Sequence, residues 1–144
     1  MDPMQEDNKN EFLYAKGFGR TVGITIADAK TRTSLPFRLE ASRRLGAPYE
    51  QRADQYGAQV YIPAESATAH KGILRQELYL AEDQGTLSSF ITCRRDGDVP
   101  YPTCYQQFLH RQFLVGVTFN KLRLPEWRTI QQEVKGLIDR FSDF

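Results

Sequence analysis

Two cysteines constrain the fold of this chain more than any other feature. Cys93 and Cys104 are the only cysteines, and the ten residues between them are rich in Asp, Gly and Pro. Such a segment is typical of a loop that joins two strands. The arrangement favours a mutual disulfide, which would stabilise the fold by roughly 2–3 kcal/mol on the chain-entropy estimate.

The same pair bears on location and chemistry. A disulfide persists only in an oxidising compartment, so the pair predicts a periplasmic or extracellular protein. Two reduced thiols in a cytosolic protein are the alternative, and a thiol nucleophile assisted by His70 or His110 is a further one. Two thiols and His110 are too few ligands, at the wrong spacing, for a metal site. The sequence therefore predicts no metal and no cofactor.

Composition limits the class of protein. A chain of 144 residues with 40% hydrophobic content is long enough for one core and too short for two typical domains. Nineteen basic and eighteen acidic residues give a net charge of +1, which argues against nucleic acid as a partner. No apolar run reaches the roughly 18 residues of a membrane-spanning helix.

The chain divides into a polar start and one domain. Residues 1–11 offer little apolar surface to offset the entropy of ordering, so we expect a disordered or linker segment there. Residues 12–144 are predicted to form a single domain. The polar start is typical of a juxtamembrane linker, and we expect an export signal or membrane anchor ahead of residue 1 in the full-length protein.

Hydrophobic alternation predicts an antiparallel sheet. Residues 28–57 give no clear pattern, and within them residues 36–45 fit either an extended stretch or a short helix. Residues 73–82 place apolar side chains mainly on one face, as in a strand with one side toward water. The predicted strands lie within residues 12–26, 58–62, 73–82, 87–94, 105–109 and 113–119. Short turns join the last four strands, which predicts a meander.

A C-terminal helix completes the predicted fold. Pro125 suits the first helical position, and Glu126 suits the positive end of the helix dipole. Apolar residues then recur with helical spacing at Trp127, Ile130, Val134, Leu137, Ile138 and Phe141. Such a stripe must be buried against a sheet. The predicted fold class is α+β, an antiparallel meander of four to six strands packed against this amphipathic helix.

The loop between the cysteines carries the candidate binding residues. They are Asp96, Asp98, Val99, Tyr101 and Pro102. A clamped loop with aromatic and acidic side chains suits protein recognition, because its ordering entropy is spent before binding. Asp96-Gly-Asp98 lacks the further oxygen ligands of a calcium loop, and a purely structural loop is the alternative. With no cluster of catalytic groups in the sequence, we predict that the protein is not an enzyme.

A set of apolar, cysteine and proline positions in the C-terminal half forms a recognisable pattern. Its members are Phe90, Ile91, Cys93, Pro102, Cys104, Phe108, Val117, Phe119, Leu124, Pro125, Trp127, Ile130, Leu137, Ile138 and Phe141. Over about the last 55 residues the chain resembles small exported or inner-membrane-anchored bacterial proteins of uncharacterised function. It is similar there to immunity proteins of secreted antibacterial toxins, including type VI effectors.

The resemblance implies a function. It suggests a non-enzymatic periplasmic protein that neutralises a cognate toxin by direct binding, so the expected partner is a protein. A membrane-tethered structural or sensory domain of an envelope assembly is the alternative. The motifs behind the resemblance are structural, and they specify a fold more than an activity.

Overall fold

A seven-stranded antiparallel sheet forms the framework of the protein. The computed structural model describes residues 22–28, 35–36, 38–40, 48–64, 76–97 and 99–141. The strands are β1 (Val22–Asp28), β2 (Tyr49–Gln55), β3 (Ala58–Pro63), β4 (Gln76–Asp83), β5 (Thr86–Arg94), β6 (Thr103–His110) and β7 (Phe113–Asn120). A 3-10 helix (Lys121–Glu126) and the α-helix α1 (Trp127–Phe141) follow β7.

The strand order confirms the meander and extends it. The order across the sheet is β1-β7-β6-β5-β4-β3-β2, so that β2 to β7 are consecutive neighbours and β1 adds to the far edge. Two-residue turns close three of the hairpins. Tyr56-Gly57 and Gln84-Gly85 have positive φ at both positions, as the right-handed twist of paired strands requires of such short turns.

The predicted number of strands was too low. The sheet has seven strands rather than four to six, and the strand that sequence reasoning missed is β2. Six of its seven residues are exposed, so it carries no apolar alternation by which a half-buried strand is recognised. Residues 1–21, which include the predicted linker and the predicted start of structure near Phe12, lie outside the described residues.

Both faces of the sheet are buried at β4, which corrects the prediction that this strand has one side toward water. Tyr79 and Ala81 join the main core on the α1 side, whereas Leu78 and Leu80 join a second cluster on the opposite face. Leu35, in a helical part of the connection from β1 to β2, covers that second face. The connection must pass from one edge of the sheet to the other, because β1 and β2 lie at opposite edges.

The C-terminal helix begins later than predicted. Pro125 lies inside the 3-10 helix, whose first turn is capped by the Asn120 side chain, and the α-helix starts at Trp127. The predicted stripe is largely confirmed. Its members Trp127, Ile130, Val134 and Ile138 are buried, Leu137 is half-buried, and Phe141 in the last turn is exposed.

A buried amide pair links α1 to the centre of the sheet. Gln131 lies on the buried side of the helix, although its polarity placed it outside the predicted stripe. Its side chain accepts a hydrogen bond from the amide of Gln106 in β6, which is fully buried. The two amides satisfy part of each other's hydrogen-bonding capacity, and this lowers the cost of their burial.

Gly116 in β7 should not tolerate a side chain. A Cβ at this position would overlap the phenol oxygen of Tyr105 and approach Thr25 Oγ1 to 2.7 Å. We expect Gly116→Ala to lower the free energy of unfolding by about 1–3 kcal/mol, as overpacking does elsewhere. Urea unfolding measures the effect. Gly23→Ala is the matched control, because its Cβ would lie 3.9 Å from its nearest neighbour atom; equal stability of the two variants would contradict the packing described here.

Candidate functional site

The predicted disulfide is present and clamps the β5–β6 hairpin. Cys93 and Cys104 are bonded, and they occupy directly paired positions in adjacent strands. Both are buried in the main core, and neither is a free thiol. The structure therefore supports the disulfide rather than the nucleophile and reduced-thiol alternatives.

His110 is remote from the cysteines. It is the last residue of β6, whereas Cys104 is the second residue of that strand. Its Nε2 lies 2.8 Å from Asp139 Oδ1 of α1. The hydrogen bond from His110, with the positive charge of Arg111 beside it, holds the pKa of Asp139 below its ordinary value. His110 thus fastens the helix to the β6–β7 turn and plays no part at the clamped loop.

The loop beyond the disulfide is held against the 3-10 helix. Asp96 and Val99 form a bridge across a bend at Gly97, which has a φ of +90°. The backbone N–H of Lys121 donates to the carbonyl oxygen of Pro102 over 3.0 Å. The loop is therefore fixed at both ends, by the covalent clamp at its base and by this hydrogen bond near its return to β6.

Lys121 is the centre of a charged cluster behind the loop. Its Nζ lies 2.8 Å from Glu77 Oε1 and 3.1 Å from Asp96 Oδ1, and it donates to the carbonyl oxygen of Arg94 over 3.0 Å. An ammonium group has three donors, and all three are used here. The side chains of Lys121 and Glu77 are only 12% and 14% exposed, whereas that of Asp96 is 83% exposed.

Two adjoining hollows lie around this cluster. The first, of about 630 Å³, lies between the β2–β3 hairpin and the 3-10 helix, with Glu77 and Tyr79 in its lining. The second, of about 830 Å³, is lined by the clamped loop and Leu122. They share Asp96, Pro102, Asn120 and Leu122. Together they make a continuous concave surface at one end of the sheet.

The hairpin wall of the first hollow is fastened to α1. The indole Nε1 of Trp127 donates to the carbonyl oxygen of Tyr56 over 2.8 Å, and Arg128 donates to that of Gly57 over 3.3 Å. The Arg128 guanidinium also lies 4.9 Å from the centre of the Trp127 ring, within the range of a cation–π contact. The start of α1 therefore positions the turn that carries Tyr56 into the hollow.

The structure brings most of the predicted binding residues together. Asp96, Val99, Tyr101 and Pro102 all line the second hollow, and Asp98 lies outside the described residues. Sequence reasoning missed Leu122, which is 79% exposed beside them. Leu122 lies in the sequence Leu-Arg-Leu-Pro just before the helix, where a leucine is expected to be buried in the core. Only the three-dimensional arrangement therefore identifies it.

Because of Tyr79, we expect the stability of the folded protein to fall at alkaline pH. Burial, followed by the negative charge of Glu77 and the hydrogen bond of 3.0 Å to it, raises the pKa of the Tyr79 phenol above its ordinary value. In the unfolded chain the phenol ionises near its ordinary pKa of about 10. Its contribution to stability is therefore complete below that pH and falls, by about 1.4 kcal/mol per pH unit, as the pH rises towards the folded-state pKa.

Tyr79→Phe is the variant that isolates this effect. At pH 8 we expect it to be less stable than the wild type by about 1 kcal/mol, the value of one hydrogen bond. Because phenylalanine cannot ionise, the difference should shrink and then reverse as urea unfolding is repeated between pH 9 and pH 11. A constant difference over that range would contradict a raised pKa of Tyr79.

Within the ranges that the structure describes, no three His, Cys, Asp or Glu side chains are grouped as ligands of a metal ion would be. No helix in the described part of the chain is long and apolar enough to cross a membrane.

Comparison with known proteins identifies a structural relative. No protein family and no curated protein matches the chain by sequence. The solved structure of Smlt3025, an immunity protein of the Stenotrophomonas maltophilia type IV secretion system, is similar with a TM-score of 0.66 and 19% sequence identity. The likeness covers 85% of this chain and 70% of Smlt3025. The chain therefore shares the α+β fold of this immunity protein.

Proposed function

We propose that this protein is a periplasmic immunity protein that binds a cognate antibacterial toxin directly and thereby neutralises it. The observation that carries the proposal is the fold, which it shares with a secretion-system immunity protein over 85% of its length. The resemblance of the C-terminal half to immunity proteins points to the same function, and it rests on the sequence pattern alone. At 19% identity the likeness extends to the fold alone, so the identity of the toxin has to come from binding experiments.

The disulfide supports the proposed compartment. Bonds of this kind form and persist in the periplasm and outside the cell, where cytosolic reductants are absent. The Cys93–Cys104 bond lies in the main core, so we expect its formation to stabilise the fold. We propose that the full-length protein is exported and possesses a signal or an inner-membrane anchor ahead of this domain.

The charged groups of the site favour a binding role over an enzymatic one. Lys121 uses all three donors on neighbouring groups, and Glu77 both pairs with Lys121 and accepts the hydrogen bond of Tyr79. A general acid or base needs a polar group that is available to the substrate. The paired groups instead build a rigid surface, which suits recognition of another protein.

The delivery system is proposed in general terms. The sequence pattern resembles immunity proteins of type VI effectors, and Smlt3025 belongs to a type IV system. Both are secretion systems, so a secreted toxin is the element that the two resemblances have in common. We therefore propose that the toxin is the product of a neighbouring gene and that it reaches the periplasm from a competing cell.

Calorimetry tests this function directly. The domain, with its disulfide intact, is titrated with the purified product of the adjacent gene, and an unrelated protein of similar size serves as control. We expect a one-to-one complex with a dissociation constant in the nanomolar range, as for other tight protein inhibitors. The proposal fails if neither the product of the adjacent gene nor any other product of the neighbouring genes binds to the domain.

A further inference from the structure

The loop end of the sheet presents apolar side chains to solvent. Leu122 is 79% exposed and Tyr101 is 68% exposed, the two largest values among the large hydrophobic residues described. Both line the second hollow together with Val99. Exposed apolar side chains gathered around one concavity mark an interaction surface, whereas single scattered ones do not.

One charged group stands at the centre of this surface. Asp96 lines both hollows and is 83% exposed. Its only cation within the cluster, Lys121, is shared with Glu77 at a shorter distance. Two carboxylates against one ammonium leave a formal charge of −1, and Asp96 keeps carboxylate oxygen sites that can accept further hydrogen bonds.

The two cations that line the hollows, Lys121 and Arg52, are already paired with carboxylates. Lys121 has no donor left, because its three donors are directed at Glu77, Asp96 and the Arg94 carbonyl. Arg52, in the lining of the first hollow, pairs with Glu50 at 2.8 Å. An incoming carboxylate would be repelled by Glu50 beside Arg52 and would find the donors of Lys121 already used, whereas an incoming ammonium or guanidinium finds an accessible acceptor at Asp96.

Building on the proposed function, we propose that this surface receives a protruding segment of the toxin that carries a lysine or arginine flanked by apolar side chains. Asp96 pairs with the basic group of that lysine or arginine. The aliphatic stem of the same lysine or arginine packs against Tyr101 and Leu122. Aromatic side chains next to a charge pair are the usual composition of an energetic centre in an interface. The disulfide and the Lys121–Pro102 hydrogen bond hold the loop in place before binding, which reduces the entropy lost on association.

Substitutions of Asp96 test the inference with the purified product of the adjacent gene as the probe. Asp96→Asn keeps the shape of the side chain and removes its charge, and Asp96→Lys reverses the charge. The control is Asp83→Asn. Asp83 is an exposed carboxylate at the end of β4, whereas Glu77 of the charged cluster lies at the start of that strand. Thermal unfolding of each variant verifies the fold. We expect Asp96→Asn to weaken binding about tenfold and Asp96→Lys about a hundredfold, with Asp83→Asn within about twofold of the wild type.

The salt dependence gives a second measurement. Binding of the wild type should weaken between 50 and 500 mM NaCl, and this dependence should be smaller in Asp96→Asn, because a screened ion pair is lost. If the wild type binds and both Asp96 variants bind as tightly, the inference is wrong while the immunity function stands. Tighter binding of Asp96→Lys also overturns it, because the toxin then presents an acidic group. Absence of wild-type binding overturns the proposed function and this inference together.

Discussion

Replacing Trp127 with alanine is expected to lower the free energy of unfolding by about 3–5 kcal/mol, the usual range for a buried large aromatic residue. The indole is 3% exposed and lies in the main core at the first turn of α1. Its Nε1 also donates to the Tyr56 carbonyl. The substitution therefore removes apolar contacts and leaves a backbone acceptor of the β2–β3 turn without its partner.

Trp127→Phe separates the two contributions. Phenylalanine keeps most of the apolar contact and cannot donate the hydrogen bond, so we expect a smaller loss of about 1–2 kcal/mol. Chemical denaturation followed by circular dichroism measures all three proteins, because alanine at this position removes the only tryptophan fluorophore. A loss below about 1 kcal/mol for Trp127→Ala would contradict the packing of α1 on the sheet.

Removing the disulfide is expected to have the second-largest effect. In the double variant Cys93→Ala/Cys104→Ala we expect the free energy of unfolding to fall by about 2–4 kcal/mol, because the unfolded chain regains the freedom of an open loop. Both side chains are also fully buried, so shortening them removes some core contact. Binding of the toxin should weaken as well, since residues 95–102 then lose the covalent clamp at their base.

A reducing agent provides the control for this prediction. Dithiothreitol should lower the urea midpoint of the wild type towards that of the double variant and leave the double variant unchanged. If the double variant unfolds within about 0.5 kcal/mol of the wild type, the disulfide does not stabilise the fold. The argument for an oxidising compartment would then lose its physical basis.

The second half of the fold could be predicted from local patterns. The short turns around Gly85 and Arg111 and the alternation in β4 to β7 specify the meander, and the spacing of Trp127, Ile130 and Val134 specifies the helix. The cysteine pair identified the disulfide, because a loop-forming segment separates the two residues. In these parts the type of each element, strand, turn or helix, follows from the residues that are close in sequence.

The remaining features depend on contacts that are distant in sequence. The edge strand β2 is exposed along its length and has no periodic signal. Burial of the second face requires Leu35 to lie over Leu78 and Phe90, which only the passage of the chain across the sheet brings about. Pairing of Lys121 with Glu77 across the end of the sheet is likewise invisible to local patterns.

The candidate site illustrates the same division. Asp96, Val99, Tyr101 and Pro102 are close in sequence, and a clamped loop was enough to propose them as one surface. Leu122 joins them because Lys121 is fixed to the loop through the Pro102 carbonyl. The charge balance at Asp96, which decides the kind of partner, depends on Glu77 in a different strand.

The most direct test of the central claim is a growth measurement in bacteria that express the adjacent toxin gene with a periplasmic signal. This protein is co-expressed either behind an added export signal, so that it is exported, or without one, so that it stays in the cytosol. We predict that growth is restored only by the exported form. Continued killing in the presence of well-folded exported protein, or rescue by the cytosolic form alone, would contradict the account of a periplasmic immunity protein.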